Sequence, residues 1–137
     1  MHIEINDHTR LSEIAAIFNS YYPFLKLTFY HGVHGIYQSS QDNQEIAEST
    51  TIGSIKRTHI STLIEIQPWY KVKDVEREFQ DRLGISVQIM KKENDHWEQS
   101  TGLDMLSIKD LNLMGRNSSD EFIVTDYDET MDEEFER

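Results

Sequence analysis

The sequence predicts an α+β fold, with a sheet of four or five strands and two main helices on one face. Three observations carry this. Residues 62–91, TLIEIQPWYKVKDVEREFQDRLGISVQIMK, read as strand, helix, strand. A fainter version of the same pattern starts 61 positions earlier, where Ile3-Glu4-Ile5 matches Ile64-Glu65-Ile66 and Phe18 matches Phe79. At 137 residues the chain has the size of one domain, large enough to bury a core without staples. Two successive β-α-β units give the order βαββαβ, a ferredoxin-like sandwich with the first and third strands adjacent at its centre. On this reading the units are duplicates, and a further strand and short helix follow them.

Residues 2–6 form the first strand, with Ile3 and Ile5 alternating with polar neighbours. Asp7 or Thr9 is expected to cap the helix that follows. Leu11, Ile14, Ala15, Phe18 and Tyr22 draw its buried stripe, and Pro23 stops it. Leu25, Leu27 and Phe29, alternating with Lys26, Thr28 and Tyr30, make the second strand. Residues 31–49 read as a long polar loop, and Thr50 or Thr51 starts a short helix through Ile52, Ile55 and Arg57.

In the second unit, Leu63, Ile64 and Ile66 form an apolar run closed by Pro68. Val72, Val75, Phe79 and Leu83 are spaced as one helical stripe, and charged residues take the other faces. Gly84 follows, able to adopt the left-handed conformation that ends a helix. Ile85, Val87 and Ile89, alternating with Ser86 and Gln88, predict a half-buried strand. Residues 91–95 read as a charged turn and 96–99 as a returning strand, with Met90 and Trp97 paired across the hairpin. Ser107 caps a brief helix over 108–114, ended by Gly115.

The domain organisation expected is a single α+β domain over 1–115 and an acidic C-terminal tail over 116–137. The formal net charge is −12. The tail holds nine acids against Arg116 and Arg137, a net of −7, which leaves −5 for the rest. The tail is expected to be solvated, because it has too few apolar residues to offset the entropy of ordering. Neither part has the clustered Lys and Arg that a phosphate backbone requires, which argues against nucleic acid as partner. No apolar run approaches the length of a membrane span, and the chain opens directly on a strand pattern rather than a leader. Cysteine is absent, so there is no disulfide framework and no thiolate chemistry. A cytoplasmic location is the expectation.

No catalytic residues, metal site or cofactor follow from the motifs. His31-x-x-His34 is the nearest approach to a metal pair, but His2, His8, His59 and His96 are scattered and supply no further ligand in order. Gly53-Ser54 lacks a phosphate-cradling glycine pattern or a nucleophile elbow. Glu4 and Glu65 would suit acid–base work if they faced one another; the plainer reading is two solvated sheet carboxylates. The candidate binding residues are Trp69, Tyr70 and Trp97. Trp69-Tyr70 stands at the entrance to the second helix, where aromatics either staple the first turn or anchor a partner.

The run Pro23-Phe24-Leu25-Lys26-Leu27, then Val87-Gln88-Ile89 with Trp97 nearby, resembles an uncharacterised family of small bacterial α+β proteins. The resemblance covers roughly residues 9–112 and implies no activity, substrate or cofactor. The function expected is a non-enzymatic protein-binding or regulatory module, with a protein as partner and homo-oligomerisation open to it through a free sheet edge. The alternative is a small-molecule-binding domain or enzyme using a cleft beside loop 31–49.

Overall fold

The computed structural model describes residues 1–31, 45–56 and 58–119. The fold is α+β. Its elements run β1 (His2–Asn6), α1 (Leu11–Tyr21), β2 (Leu25–Tyr30), α2 (Ile52–Ile55), β3 (Ser61–Glu65), α3 (Val72–Leu83), β4 (Ser86–Glu93), β5 (His96–Gln99) and α4 (Ile108–Asn117). The expectations placed on Arg57, on most of loop 31–49 including His34, and on the tail beyond Ser119 lie outside the described residues.

The strands divide into two antiparallel sheets rather than the single ferredoxin-like sheet. One holds β1 and β3, and the other has the order β2-β4-β5. The two Ile-Glu-Ile segments do lie side by side, with Ile3 opposite Ile64. What separates the sheets is edge occupancy. β4 gives one edge to β2, from Leu25 opposite Lys91 to Tyr30 opposite Ser86, and much of the other to β5. The far edge of β2 takes the Ile46 N–H on the Phe29 carbonyl at 2.7 Å. A strand has only two hydrogen-bonding edges, so β1 and β3 are left to each other.

Both helical stripes are buried as their spacing predicts. Leu11, Ile14 and Phe18 of α1 and Val72, Val75, Phe79 and Leu83 of α3 join Ile3, Ile5, Ile64 and the β2 and β4 side chains in one core. Phe29 and Phe79 meet edge-to-face with ring centroids 6.5 Å apart, a geometry that adds to their area burial. β2 and β4 are covered more fully than half-buried strands. Thr28, Ser86 and Gln88 are buried too, and the Thr28 hydroxyl donates to the Gln88 carbonyl at 3.2 Å.

Several local expectations are corrected. Neither Asp7 nor Thr9 caps α1. Arg10 is the cap residue, and its N–H donates to the Glu13 carboxylate at 3.2 Å. Thr9 instead turns its hydroxyl back to accept from the Asn6 N–H at 3.0 Å. Leu63, part of the apolar run, is 42% exposed, because the pleat sends only Ile64 to the core within β3. β4 runs on to Glu93, so the turn contracts to Asn94-Asp95, with Asn94 left-handed at φ 56°. The register then sets Trp97 opposite Lys92 and Met90 opposite Gln99, not Met90 opposite Trp97. Gly115 does not end α4, which continues to Asn117. Gly115 is there for close approach: an added Cβ would stand 2.8 Å from the Phe24 carbonyl oxygen. Gly84 does end α3 in the left-handed conformation, at φ 68°.

The entries of α1 and α3 make similar main-chain contacts. Leu11 N–H donates to Thr50 O at 3.0 Å, and Val72 N–H to Leu106 O at 2.9 Å. Ser12 donates to Glu48 O at 2.8 Å, and Lys73 to Asp104 O at 3.1 Å. Ile52 donates to Thr9 O and Ile108 to Tyr70 O, both at 2.8 Å. Each half thus ties the start of its main helix to the segment that opens its second helix.

Candidate functional site

Among the described residues, three features of the surface bear on binding. The first is the outer edge of β3. Met1 and Ile66 exchange both main-chain bonds, each at 3.0 Å, which makes them a hydrogen-bonded pair. Such pairs alternate along an antiparallel ladder, so Ile3–Ile64 and Ile5–Thr62 face inward as well. Ser61, Leu63 and Glu65 therefore turn their N–H and C=O groups outward. Among the described residues nothing pairs with them. On the outer edge of β1, His2 and Glu4 turn outward in the same way, whereas Asn6 is tied back to Thr9.

The second is a groove of about 280 Å³ between α3 and the part of β4 that β5 leaves uncovered. Lys73, Glu76, Arg77, Gln80 and Asp81 line one wall, and Ser86 and Val87 the other. Ile89 turns its carbonyl toward Ser100 N–H, at 3.2 Å, and its own N–H donates to the Glu76 carboxylate. Glu76 thus caps the ladder where β5 stops. Burial pushes its carboxyl up from 4.5 to about 8, the Asp104 charge adds to the rise, and the Ile89 N–H opposes it. A value near 8 favours the protonated form of Glu76 at pH 7.

The third is a hollow of about 180 Å³ lined by Asp7, Gly53, Lys56, Thr58 and His59. One Asp7 oxygen accepts from Ile60 N–H at 2.8 Å and the other pairs with the His59 ring. The Ile60 bond first, then the His59 bond, hold the Asp7 carboxyl below its ordinary value. This is the geometry of a loop clasp. His59 is almost wholly exposed, and no hydroxyl or thiol is hydrogen-bonded to its ring among the described residues.

The aromatic candidates separate. Trp69 is 70% exposed and touches Tyr70 edge-on, with centroids 6.4 Å apart. Tyr70 does the stapling: it packs on the core, and its carbonyl accepts from Ile108 N–H. Trp97 is half-buried on β5, with the Lys92 ammonium 5.0 Å above its ring. Glu4 and Glu65 do not face each other; Glu4 lies opposite Leu63, and Glu65 opposite His2, whose Nε2 is 3.9 Å from its carboxylate. His96 sits between Glu98, at 3.1 Å, and Asp95, at 3.5 Å, and these acids hold its pKa above the ordinary value. Among the described residues no group of three or more His, Asp or Glu side chains is arranged to hold a metal ion.

No family model, curated protein or solved structure matches this chain. Glu76 and Leu63 are the residues that sequence reasoning passed over. Leu63 shares the parity of Glu65, the outward parity of its strand, and that was readable. At the 61-residue offset that aligns Ile3 with Ile64, Glu76 falls opposite Ala15. No helix among the described residues is long and apolar enough to cross a membrane.

Proposed function

We propose that the protein is a non-enzymatic protein-binding module that adds an extended strand from its partner to the outer edge of β3. The observation that carries this is the row of outward N–H and C=O groups on Ser61, Leu63 and Glu65, with an exposed leucine at its centre. Strand addition draws affinity from such main-chain bonds and specificity from alternate side chains. Native sheets usually protect an edge of this kind with charge or proline, and here neither stands at the middle position. The two hollows described above are consistent with this reading: at about 280 and 180 Å³ each falls below the ~300–1,000 Å³ common for small-molecule sites. The acidic, cysteine-free composition suits a protein partner in the cytoplasm rather than nucleic acid.

We also read the two halves as repeats of one unit. The matched helix-entry bonds support this, as does the ladder register, which sets Ile3 opposite Ile64, its counterpart in the other half.

The test is binding with an edge substitution as control. Leu63→Pro removes an outward N–H and leaves the β1–β3 ladder bonds intact. The expected result is that wild type associates, with itself or with a protein captured at low salt, and that Leu63→Pro does so much less while melting as a folded protein. If neither association is seen, and a metabolite panel raises the melting temperature instead, the reading fails.

A further inference from the structure

We propose that two copies of this chain pair their β3 strands antiparallel about a two-fold axis through Leu63, joining two β1–β3 sheets into one of four strands. The inference rests on the strand-addition reading and names the occupant of the edge. In this register Leu63 of each copy faces Leu63 of the other as a hydrogen-bonded pair. Each Ser61 faces a Glu65, and all three residues exchange the N–H and C=O groups that now point outward.

The side chains decide between the two open edges of the sheet. On β3 the symmetric register sets leucine against leucine and each Glu65 carboxylate against a Ser61 hydroxyl. No like charges meet. The corresponding register on β1 would set Glu4 against Glu4, which is destabilising. One edge of the sheet is therefore guarded by charge and the other is self-complementary. Leu63 is 42% exposed in the single copy, and two copies would cover each other at that point. A two-fold contact uses the same patch on both partners and closes, so it yields dimers and not filaments. The chain already contains a pairing of this symmetry, in the β1–β3 ladder centred on Ile3 and Ile64.

The absence of cysteine makes the register directly testable. Directly opposed hydrogen-bonded residues have Cα atoms about 5.5 Å apart, within disulfide reach. Leu63→Cys in the full chain should oxidise to a disulfide-linked dimer at least ~10-fold faster than Ser61→Cys, whose thiols would lie roughly 14 Å apart along the strands. Sedimentation equilibrium of wild type up to ~500 µM should show a mass rising from 16.1 kDa toward twice that value, and Leu63→Lys should return it to the monomer. A wild-type chain that stays at 16.1 kDa throughout, species that grow beyond the dimer, or equal cross-linking of the two cysteine variants overturns the proposal. A monomer whose capture of another protein is abolished by Leu63→Lys also overturns the second copy as occupant, yet leaves strand addition standing.

Discussion

Glu76→Gln should stabilise the protein above pH 8 and leave it nearly unchanged at pH 5. The carboxyl of Glu76 is raised in the folded chain from 4.5 to about 8, first by burial and then by the Asp104 charge. Between those values the folded chain keeps a proton that the unfolded chain has released. Stability contributed by that proton is complete below pH 4.5, falls as pH rises through the window, and is gone above pH 8. At about 1.36 kcal/mol per pH unit the ceiling is about 5 kcal/mol. Solvent reaches the groove beside Glu76, so about half of that ceiling, 2–3 kcal/mol, is the expectation at pH 9. Glutamine keeps an oxygen for the Ile89 N–H and cannot ionise. The assay is thermal unfolding of both proteins from pH 5 to pH 9. The variant should melt roughly 10 °C above wild type at pH 9 and within about 2 °C of it at pH 5. A difference between the two proteins that does not change with pH would refute the assignment of a partly buried carboxyl with a raised pKa.

Four further outcomes follow from single positions. Gly84→Ala puts a side chain at φ 68° and against the Lys56 ammonium group, and should cost about 1–2 kcal/mol in denaturant unfolding with an unchanged m-value. Asp7→Ala removes the acceptor of Ile60 N–H and the partner of His59, so it should melt below wild type at neutral pH. Because the Asp7 carboxyl is held low, that deficit is present above its unfolded value and should vanish as acid protonates the folded group; a deficit that persists in acid would mean the clasp is not electrostatic. Trp69→Ala, at a largely exposed site, should shift stability by no more than about 0.5 kcal/mol, whereas Phe79→Ala in the core should cost about 3–5 kcal/mol, both read from chemical denaturation.

The sequence by itself determined the pieces that depend on neighbours along the chain. The Val72–Leu83 stripe, the Gly84 stop, the Ser107 cap and the β1 bounds all follow from spacing and side-chain chemistry within a few residues. It also determined that the Ile-Glu-Ile strands are alike, and so able to lie together. Only the tertiary structure decided which strand edges were used. A strand carries two equivalent edges and its sequence does not mark which will be filled, so the ferredoxin-like sheet and the observed two sheets are equally compatible with the alternation. Gly115 shows the same limit. A glycine after an apolar helix reads as a stop, and only the approach of Phe24 makes it an interior residue. Glu76 is the clearest case. On the helix it is one charged residue among several, and its raised pKa comes from the desolvation and the Asp104 charge that folding brings to it, against the opposing Ile89 N–H. Periodicity reports which face of an element is apolar; burial of a single polar group depends on what other parts of the chain place over it.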